Sequence, residues 1–214
     1  MKIVYLGSNR TYSKSGADFV KNLCPKNSFI YNKDQALVDF PEKYDLGIAL
    51  GYMHLVSKKE LKKATWINIH PGPLPNYGGR NIAYHALMNN EKSFGATLHY
   101  MSARFDAGDI ISVKDFEMFE GITAKELYDL SCKASLYLLE EYLPKILNGE
   151  RINSFQQKNR RYYPKKKINN NIEVDENIKK SICALYYPPH YPQIKIGNKI
   201  FNIILEGEKN CETD

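Results

Sequence analysis

The sequence has no apolar run near the ~18–20 residues that a membrane-spanning helix needs, so no spanning helix is expected. Its opening stretch, Met1-Lys2-Ile3-Val4-Tyr5-Leu6-Gly7-Ser8, is too short and too soon interrupted for a secretory leader. Cysteine is sparse: Cys24, Cys132, Cys183 and Cys211 stand far apart with no Cys-x-x-Cys pair. That spacing suggests neither a disulfide framework nor a zinc cluster and fits a reducing, cytoplasmic setting. There is no internal repeat. What is present is ordinary globular composition, 43% hydrophobic and 25% charged over 214 residues, which argues against a disordered or fibrous chain. The length suits one full domain with a small appendage.

Charge is uneven. From Arg151 to Asp214 there are 12 Lys and Arg against 7 Asp and Glu, so +5 of the net +6 lies in this tail. The densest stretch, Lys158 to Lys167, interleaves cations with Tyr162 and Tyr163. It reads either as a nucleic-acid contact that neutralises phosphates and stacks on bases, or as a solvated connector, the commoner use of short basic runs.

The apolar, β-branched run Lys2–Leu6 predicts a buried strand ending at Gly7-Ser8. A helix is expected from Ser15 to Cys24, a strand at Phe29–Tyr31, and another at Tyr44–Tyr52 that opens into a loop at Gly51. Ser57 with Glu60 forms one candidate capping box and Thr123 with Glu126 a second, the latter heading a long helix that ends near Gly149. Thr65–His70 reads as a strand stopped by Pro71-Gly72-Pro73-Leu74-Pro75. A helix at Ile82–Asn89 and strands at Gly95–Met101 and Asp109–Val113 follow. This alternation predicts an α/β fold, a Rossmann-like mostly parallel sheet with helices on both faces, over residues 1–150. Residues 151–214 are expected to form a C-terminal extension, with a short helix at Asp175–Leu185 and a β-hairpin about Gly197-Asn198. A lone hairpin is marginally stable, so it should pack on the main domain or on a second subunit.

Open sheets of this kind hold ligands at the carboxyl ends of their strands, which singles out the loops after Leu50, His70 and Met101. Asn68 and His70 alternate at a strand end and so share a face. A neutral amide beside an imidazole makes a candidate oxyanion donor and general base, though a strand-end Asn-x-His is more often a structural pair. Asp106, among small residues in Arg104-Phe105-Asp106-Ala107-Gly108-Asp109, is placed either to orient His70 or to shape an ordinary turn. Metal binding by His70, His85 and His99 is disfavoured, because no partner carboxylates stand at ligand spacing; no metal is expected.

Together these clusters resemble the folate-dependent formyltransferase family. Asn68-Ile69-His70-Pro71-Gly72-Pro73-Leu74-Pro75 looks like its Asn-x-His-Pro-x-x-Leu-Pro signature. Asp106 lies 38 residues after Asn68 in a Phe-Asp-Ala-Gly-Asp-Ile-Ile segment like the family's Asp-loop. Gly95–Met101 matches the strand between them, and Leu50-Gly51-Tyr52-Met53-His54-Leu55 resembles the folate-binding loop. The resemblance implies transfer of a formyl group from 10-formyltetrahydrofolate to an amine. Asn68, His70 and Asp106 would be catalytic, with the first proton acceptor left open between His70 and Asp106. Gly51, Tyr52, Met53, His54, Leu55, Met101 and Phe105 would hold the folate.

Three branches of that family compete. The glycinamide ribonucleotide branch carries a Gly-Ser-Asn phosphate loop, which Gly7-Ser8-Asn9-Arg10 matches in part, but has no place for the hairpin or for Tyr186–Pro192. The methionyl-tRNA branch has an aromatic-proline segment followed by a full barrel domain for tRNA. The sugar N-formyltransferases, with short and varied C-terminal regions, are most similar. They imply a nucleotide-linked amino-deoxy sugar as substrate, such as dTDP-4-amino-4,6-dideoxyglucose or a 3-amino analogue, and a role in surface polysaccharide (O-antigen) biosynthesis. Tyr77, Arg80 and Asn81 are candidate contacts for the sugar or its diphosphate, Arg80 because its fork suits phosphate oxygens. No nucleic acid or membrane is expected as a partner, and a homodimer is. The other readings are a methionyl-tRNA formyltransferase-like enzyme, a formate-releasing hydrolase, and a non-catalytic folate-binding relic. A relic is expected to lose part of Asn68, His70 and Asp106, and none is lost.

Overall fold

The first strand β1 (Ile3–Gly7) and the third, β3 (Leu46–Leu50), are buried along their whole length, as unbroken apolar runs in the middle of a parallel sheet must be. The computed structural model describes residues 1–32, 40, 43–169, 171–188 and 190–204. Pro189 of the Tyr-Pro-rich stretch and the last ten residues of the extension lie outside the described residues. Two compact units divide the chain: residues 1–118 with 122–165, and residues 119–121 with 166–214.

In the first unit, β1 leads to α1 (Thr11–Leu23), β2 (Ser28–Asn32), β3, α2 (Lys58–Leu61), β4 (Thr65–His70) and β5 (Gly78–Gly79). There follow α3 (Ile82–Met88), β6 (Ser93–Tyr100), β7 (Ile110–Glu117), α4 (Ala124–Leu147) and β8 (Tyr162–Tyr163). Six strands form one sheet in the order β2-β1-β3-β4-β6-β7. β2, β1, β3 and β4 pair in parallel, while β6 is antiparallel to both β4 and β7. This is the expected mostly parallel α/β sheet.

Strand alternation sorts the core into two faces. Ile3, Tyr5, Ile48, Ile67, Ile69 and Leu98 pack with Val20 of α1 and Leu138 and Leu139 of α4. Val4, Leu6, Ala49 and Trp66 pack on the other face with Tyr44, Val56 and Leu61 of α2. Helices therefore cover both faces, as expected.

α1 begins at Thr11, four residues before its predicted start. Its first turn is held by tertiary contacts: the Ser13 hydroxyl donates to the Leu50 carbonyl at 2.7 Å and accepts from the Ser8 amide at 2.8 Å. The capping box expected at Ser57 is only half made. Ser57 Oγ accepts from the Glu60 amide at 3.2 Å, but the Glu60 carboxylate accepts from the Tyr44 hydroxyl and Lys63 Nζ, both at 2.6 Å. The box at Thr123 and Glu126 is complete.

The second unit contains α5 (Glu176–Leu185), capped by Asp175 Oδ1 through the Asn177 and Ile178 amides, both at 2.9 Å. It also contains the antiparallel hairpin β9 (Gln193–Ile196) and β10 (Lys199–Asn202). The hairpin turns at Gly197, whose φ of 57° is the left-handed conformation its Gly-Asn sequence provides for. Lys199 Nζ donates to the Gly121 carbonyl at 2.9 Å.

Candidate active site

Ile67 and Ile69 of β4 face the α1 and α4 side of the sheet, so Trp66, Asn68 and His70 face the other side. β6 lies beside β4 in a register that sets His99 opposite Asn68 and Thr97 opposite His70. Cross-strand neighbours on one face stand about 5 Å apart, so two alternating strands build a four-residue polar patch. His70, Thr97 and His99 are buried and Asn68 half-buried.

Each buried polar atom of the patch is matched. Thr97 Oγ1 accepts from the Leu74 amide at 2.9 Å and donates to the Gly72 carbonyl at 2.8 Å, pinning the proline loop to the sheet. His70 Nε2 lies 2.7 Å from the Tyr77 carbonyl. A carbonyl only accepts, so Nε2 carries a hydrogen and Nδ1 is the atom that gains or loses a proton. Nδ1 faces Asp106 Oδ1 at 3.6 Å, and Asp106 Oδ2 accepts from the Gly79 amide at 2.8 Å.

The same reasoning fixes His99. Its Nδ1 donates to the Tyr100 carbonyl at 2.7 Å, leaving Nε2 to accept from Asn68 Nδ2 at 3.0 Å. Burial pushes the His99 imidazole down to about 4, against the opposing pull of the Asp106 charge. His99 is therefore neutral at pH 7, the only state in which it accepts from an amide N–H. One Asn68 N–H is thus committed, which orients the amide, and the group carries a second.

Asp106 reaches this patch by an indirect route. β6 runs against β4, so the loop leaving it starts beside Trp66, whose carbonyl accepts from the Met101 amide at 2.8 Å. The loop then turns back at Asp106, whose φ is 48°. Gly108 lets it pass: a Cβ there would collide with the Tyr100 carbonyl oxygen.

A cleft open to solvent lies over Asn68, His99 and Asp106. Tyr52, His54, Leu55, Met101 and Phe105 line it, together with Ser102 and Arg104 of the Met101–Asp106 loop and with Ala49, which sequence reasoning did not select. Gly51, with φ 74°, and Met53 belong to the same loop without lining the cleft. His70 stands behind Asp106.

Tyr77, Arg80 and Asn81 are not brought to the cleft. The Tyr77 side chain is built into an apolar cluster with Phe94 and Leu127. Its hydroxyl donates to Glu91 Oε1 at 2.6 Å, and burial with that carboxylate pushes it up to about 12. What Tyr77 offers the site is its carbonyl. Arg80 is half-buried, its amide bonded to the Tyr163 carbonyl at 2.8 Å, and Asn81 is exposed just ahead of α3.

His99 was the main residue that sequence reasoning missed. Its signal was the alternation Thr97-x-His99, which gains meaning only once β6 is known to run antiparallel beside β4. Among the described residues no group of three His, Cys, Asp or Glu side chains is arranged to hold a metal ion, and no helix is long and apolar enough to cross a membrane.

The sequence profile of the formyl transferase family matches residues 14–141, more than half of the chain. The chain belongs to the formyl transferase family. Among its curated relatives, the bifunctional polymyxin resistance protein of Wigglesworthia glossinidia brevipalpis is 36% identical over 110 residues, 50% of this chain and 17% of the relative. The GDP-perosamine N-formyltransferase of Brucella melitensis is 28% identical over 167 residues, 74% of this chain and 64% of the relative. The matches thus span less than two thirds of these relatives' own length. In fold, this formyl transferase family member is similar to the N-formyltransferase of Helicobacter canadensis, solved with folinic acid and dTDP-3-aminofucose. The TM-score is 0.70 at 20% identity, over 82% of this chain and 75% of that one.

Proposed function

We propose that the protein transfers a formyl group from 10-formyltetrahydrofolate to the amine of a nucleotide-linked amino-deoxy sugar. The observation that carries this reading is the convergence of Asn68 and Asp106 at one cleft, with His70 behind them, its Nδ1 3.6 Å from Asp106 Oδ1. The names of the relatives support the sugar branch, since one acts on GDP-perosamine and one was solved with dTDP-3-aminofucose.

The cleft fits the folate. Tyr52, Leu55, Met101 and Phe105 offer apolar walls for a flat ring, as the lining of a small-molecule site should. When bound, 10-formyltetrahydrofolate supplies the formyl carbon that the amine attacks. Asn68 donates its second N–H to the oxygen that gains charge, and an oriented donor of this kind is worth about 10²–10³ in rate. His70 Nδ1 and Asp106 Oδ1 form the relay that takes the amine proton and returns it to the departing nitrogen. Because Nε2 is committed to Tyr77, that traffic runs through Nδ1 alone. Arg80 and Asn81 remain our candidates for the sugar diphosphate, at the edge of the proline loop. The product would serve surface polysaccharide synthesis in the cytoplasm.

The test is an acceptor screen with 10-formyltetrahydrofolate, following the appearance of tetrahydrofolate. Its panel holds GDP-perosamine, dTDP-3-aminofucose, other dTDP-, UDP- and GDP-linked 3- and 4-amino sugars, glycinamide ribonucleotide and charged initiator tRNA. Turnover with a sugar nucleotide is expected. Turnover with tRNA alone rejects the sugar reading, and folate binding without turnover favours a binding relic.

A homodimer is also proposed, from the exposed Ile194, Ile196, Ile200 and Phe201 of the hairpin. Sedimentation as a monomer at micromolar concentration rejects it.

A further inference from the structure

The basic stripe and the residue just before it contain two side chains that the reading above leaves without a role. Gln157 and Arg160 stand on the chain just before β8, and both point at the backbone of the loop that carries Asp106. Arg160 Nη2 donates to the Phe105 carbonyl and to the Asp106 carbonyl, each at 2.9 Å. Gln157 Nε2 donates to the Asp106 carbonyl at 3.1 Å and to the Gly108 carbonyl at 2.6 Å. Arg160 Nε donates to Gln157 Oε1 at 3.2 Å, which turns the amide so that its NH₂ faces the loop. Two side chains thus act as one bracket on three carbonyls of the loop, those of Phe105, Asp106 and Gly108.

The bracket sits where the loop most needs one. Asp106 occupies the left-handed region at φ 48°, a conformation that non-glycine residues keep only when their surroundings enforce it. That conformation swings the carboxylate back to His70 Nδ1 and the Gly79 amide. The strand that follows the bracket ties down the other wall. The Arg161 amide donates to the Pro75 carbonyl at 2.9 Å, the Gly78 amide to the Arg161 carbonyl at 3.2 Å, and the Arg80 amide to the Tyr163 carbonyl at 2.8 Å. Residues 157–163 therefore join the Asp106 loop to the proline loop, which the sheet alone holds apart in sequence by 30 residues or so.

We propose that Arg160, with Gln157, is a positioning residue that holds the Asp106 carboxylate against His70 by bridging the carbonyls of its loop. The inference rests on the formyl-transfer reading only for its effect on turnover; the geometry it describes is testable without any acceptor. A guanidinium suits the task because its rigid plane lets Nη2 hold both loop carbonyls while Nε holds Gln157 Oε1, a spread of donors that a single ammonium cannot match.

The experiment measures amide hydrogen exchange by NMR in the full chain without ligand, because the Gly79 amide reports directly on the Asp106 carboxylate. In Arg160→Met, the Gly79 amide is expected to exchange at least ~10-fold faster, while the Arg80 amide and the β3 amides keep the wild-type rate. Arg160→Lys, a milder change that keeps the stem and charge, should show the same contrast at about 3-fold and decides the matter if the Met variant does not fold. Unchanged Gly79 exchange in the folded variants overturns the proposal. So does equal loosening of Gly78, Gly79 and Arg80, which would mean that Arg160 merely fastens its own strand. With the sugar nucleotide that turns over in the acceptor screen, kcat should fall ~10-fold in Arg160→Met at unchanged acceptor KM, with part of the loss recovered in Arg160→Lys. A fall confined to KM overturns the positioning role. Absence of any acceptor rejects the formyl-transfer reading and leaves the exchange result to stand on its own.

Discussion

The two units of the chain are built from equally clear local signals and come to different ends. In the first, β1 and β3 are buried on every residue and α4 lays Leu127, Leu138, Leu139 and Leu143 into the core. In the second, α5 buries none of its residues, and Ile194, Ile196, Ile200 and Phe201 of the hairpin stay exposed. Yet Asp175 caps α5 with two bonds, and Gly197 makes a turn as sound as any in the sheet. The lesson is that caps and turns set where an element forms, while buried area behind it makes the element a rigid platform. Groups that must meet to a few tenths of an ångström need that platform, and all of them lie in the first unit.

Altering the platform's chemistry should have the largest effect. His70→Ala and Asp106→Asn are each expected to cut formyl transfer by at least ~100-fold, the low end for a positioned acid–base group. Near-normal turnover in either variant removes that residue from the mechanism.

Acidity tests the platform next. Folded His99 titrates at about 4 because it is buried, while an unfolded chain takes up its proton near 6.5. The unfolded state therefore binds more protons between those values. Stability from this group is complete above pH 6.5 and is lost as pH falls toward 4, on the order of 3 kcal/mol in all. His99→Gln, whose amide oxygen can still accept from Asn68, should lose less melting temperature between pH 7 and 5 than the wild type. Parallel slopes would show that His99 is not the titrating group.

Packing around the Asp106 loop comes third. Gly108→Ala drives a methyl into the Tyr100 carbonyl and should cost about 2 kcal/mol or more in thermal unfolding. An unchanged melting temperature would mean that the loop shifts freely, contrary to its bracketed geometry.

The smallest effects compare the units directly. Thr123→Ala and Asp175→Ala each remove a helix N-cap worth ~1 kcal/mol. Only the first should lower the global melting temperature, and the second should show solely as faster exchange at the Asn177 and Ile178 amides. Equal global losses would break the contrast between a buried and an unburied unit.

Much of this was legible in order along the chain. The strand Thr65–His70 has the predicted bounds, the Thr123 box forms as read, and Asn68, His70 and Asp106 meet at one site. Where reading stopped, distant residues decided. Glu60 left its capping box because Tyr44 and Lys63 offered better partners. Tyr77 faces inward because Glu91 and Asn89 satisfy its hydroxyl away from the cleft. Tyr44, Glu91 and Asn89 each stand more than ten residues from the side chain they redirect.

By itself, then, the amino-acid order determined the elements, the buried faces of the strands and the shared strand face of Asn68 and His70, because alternation, capping and turn chemistry act between neighbours. Only the tertiary structure decided the antiparallel place of β6, the tautomers of His70 and His99, and the use of Gln157 and Arg160 on a loop about 50 residues away. Those depend on which strands pair and which carbonyls they leave facing a given side chain, and contacts of that kind are set by packing across the fold.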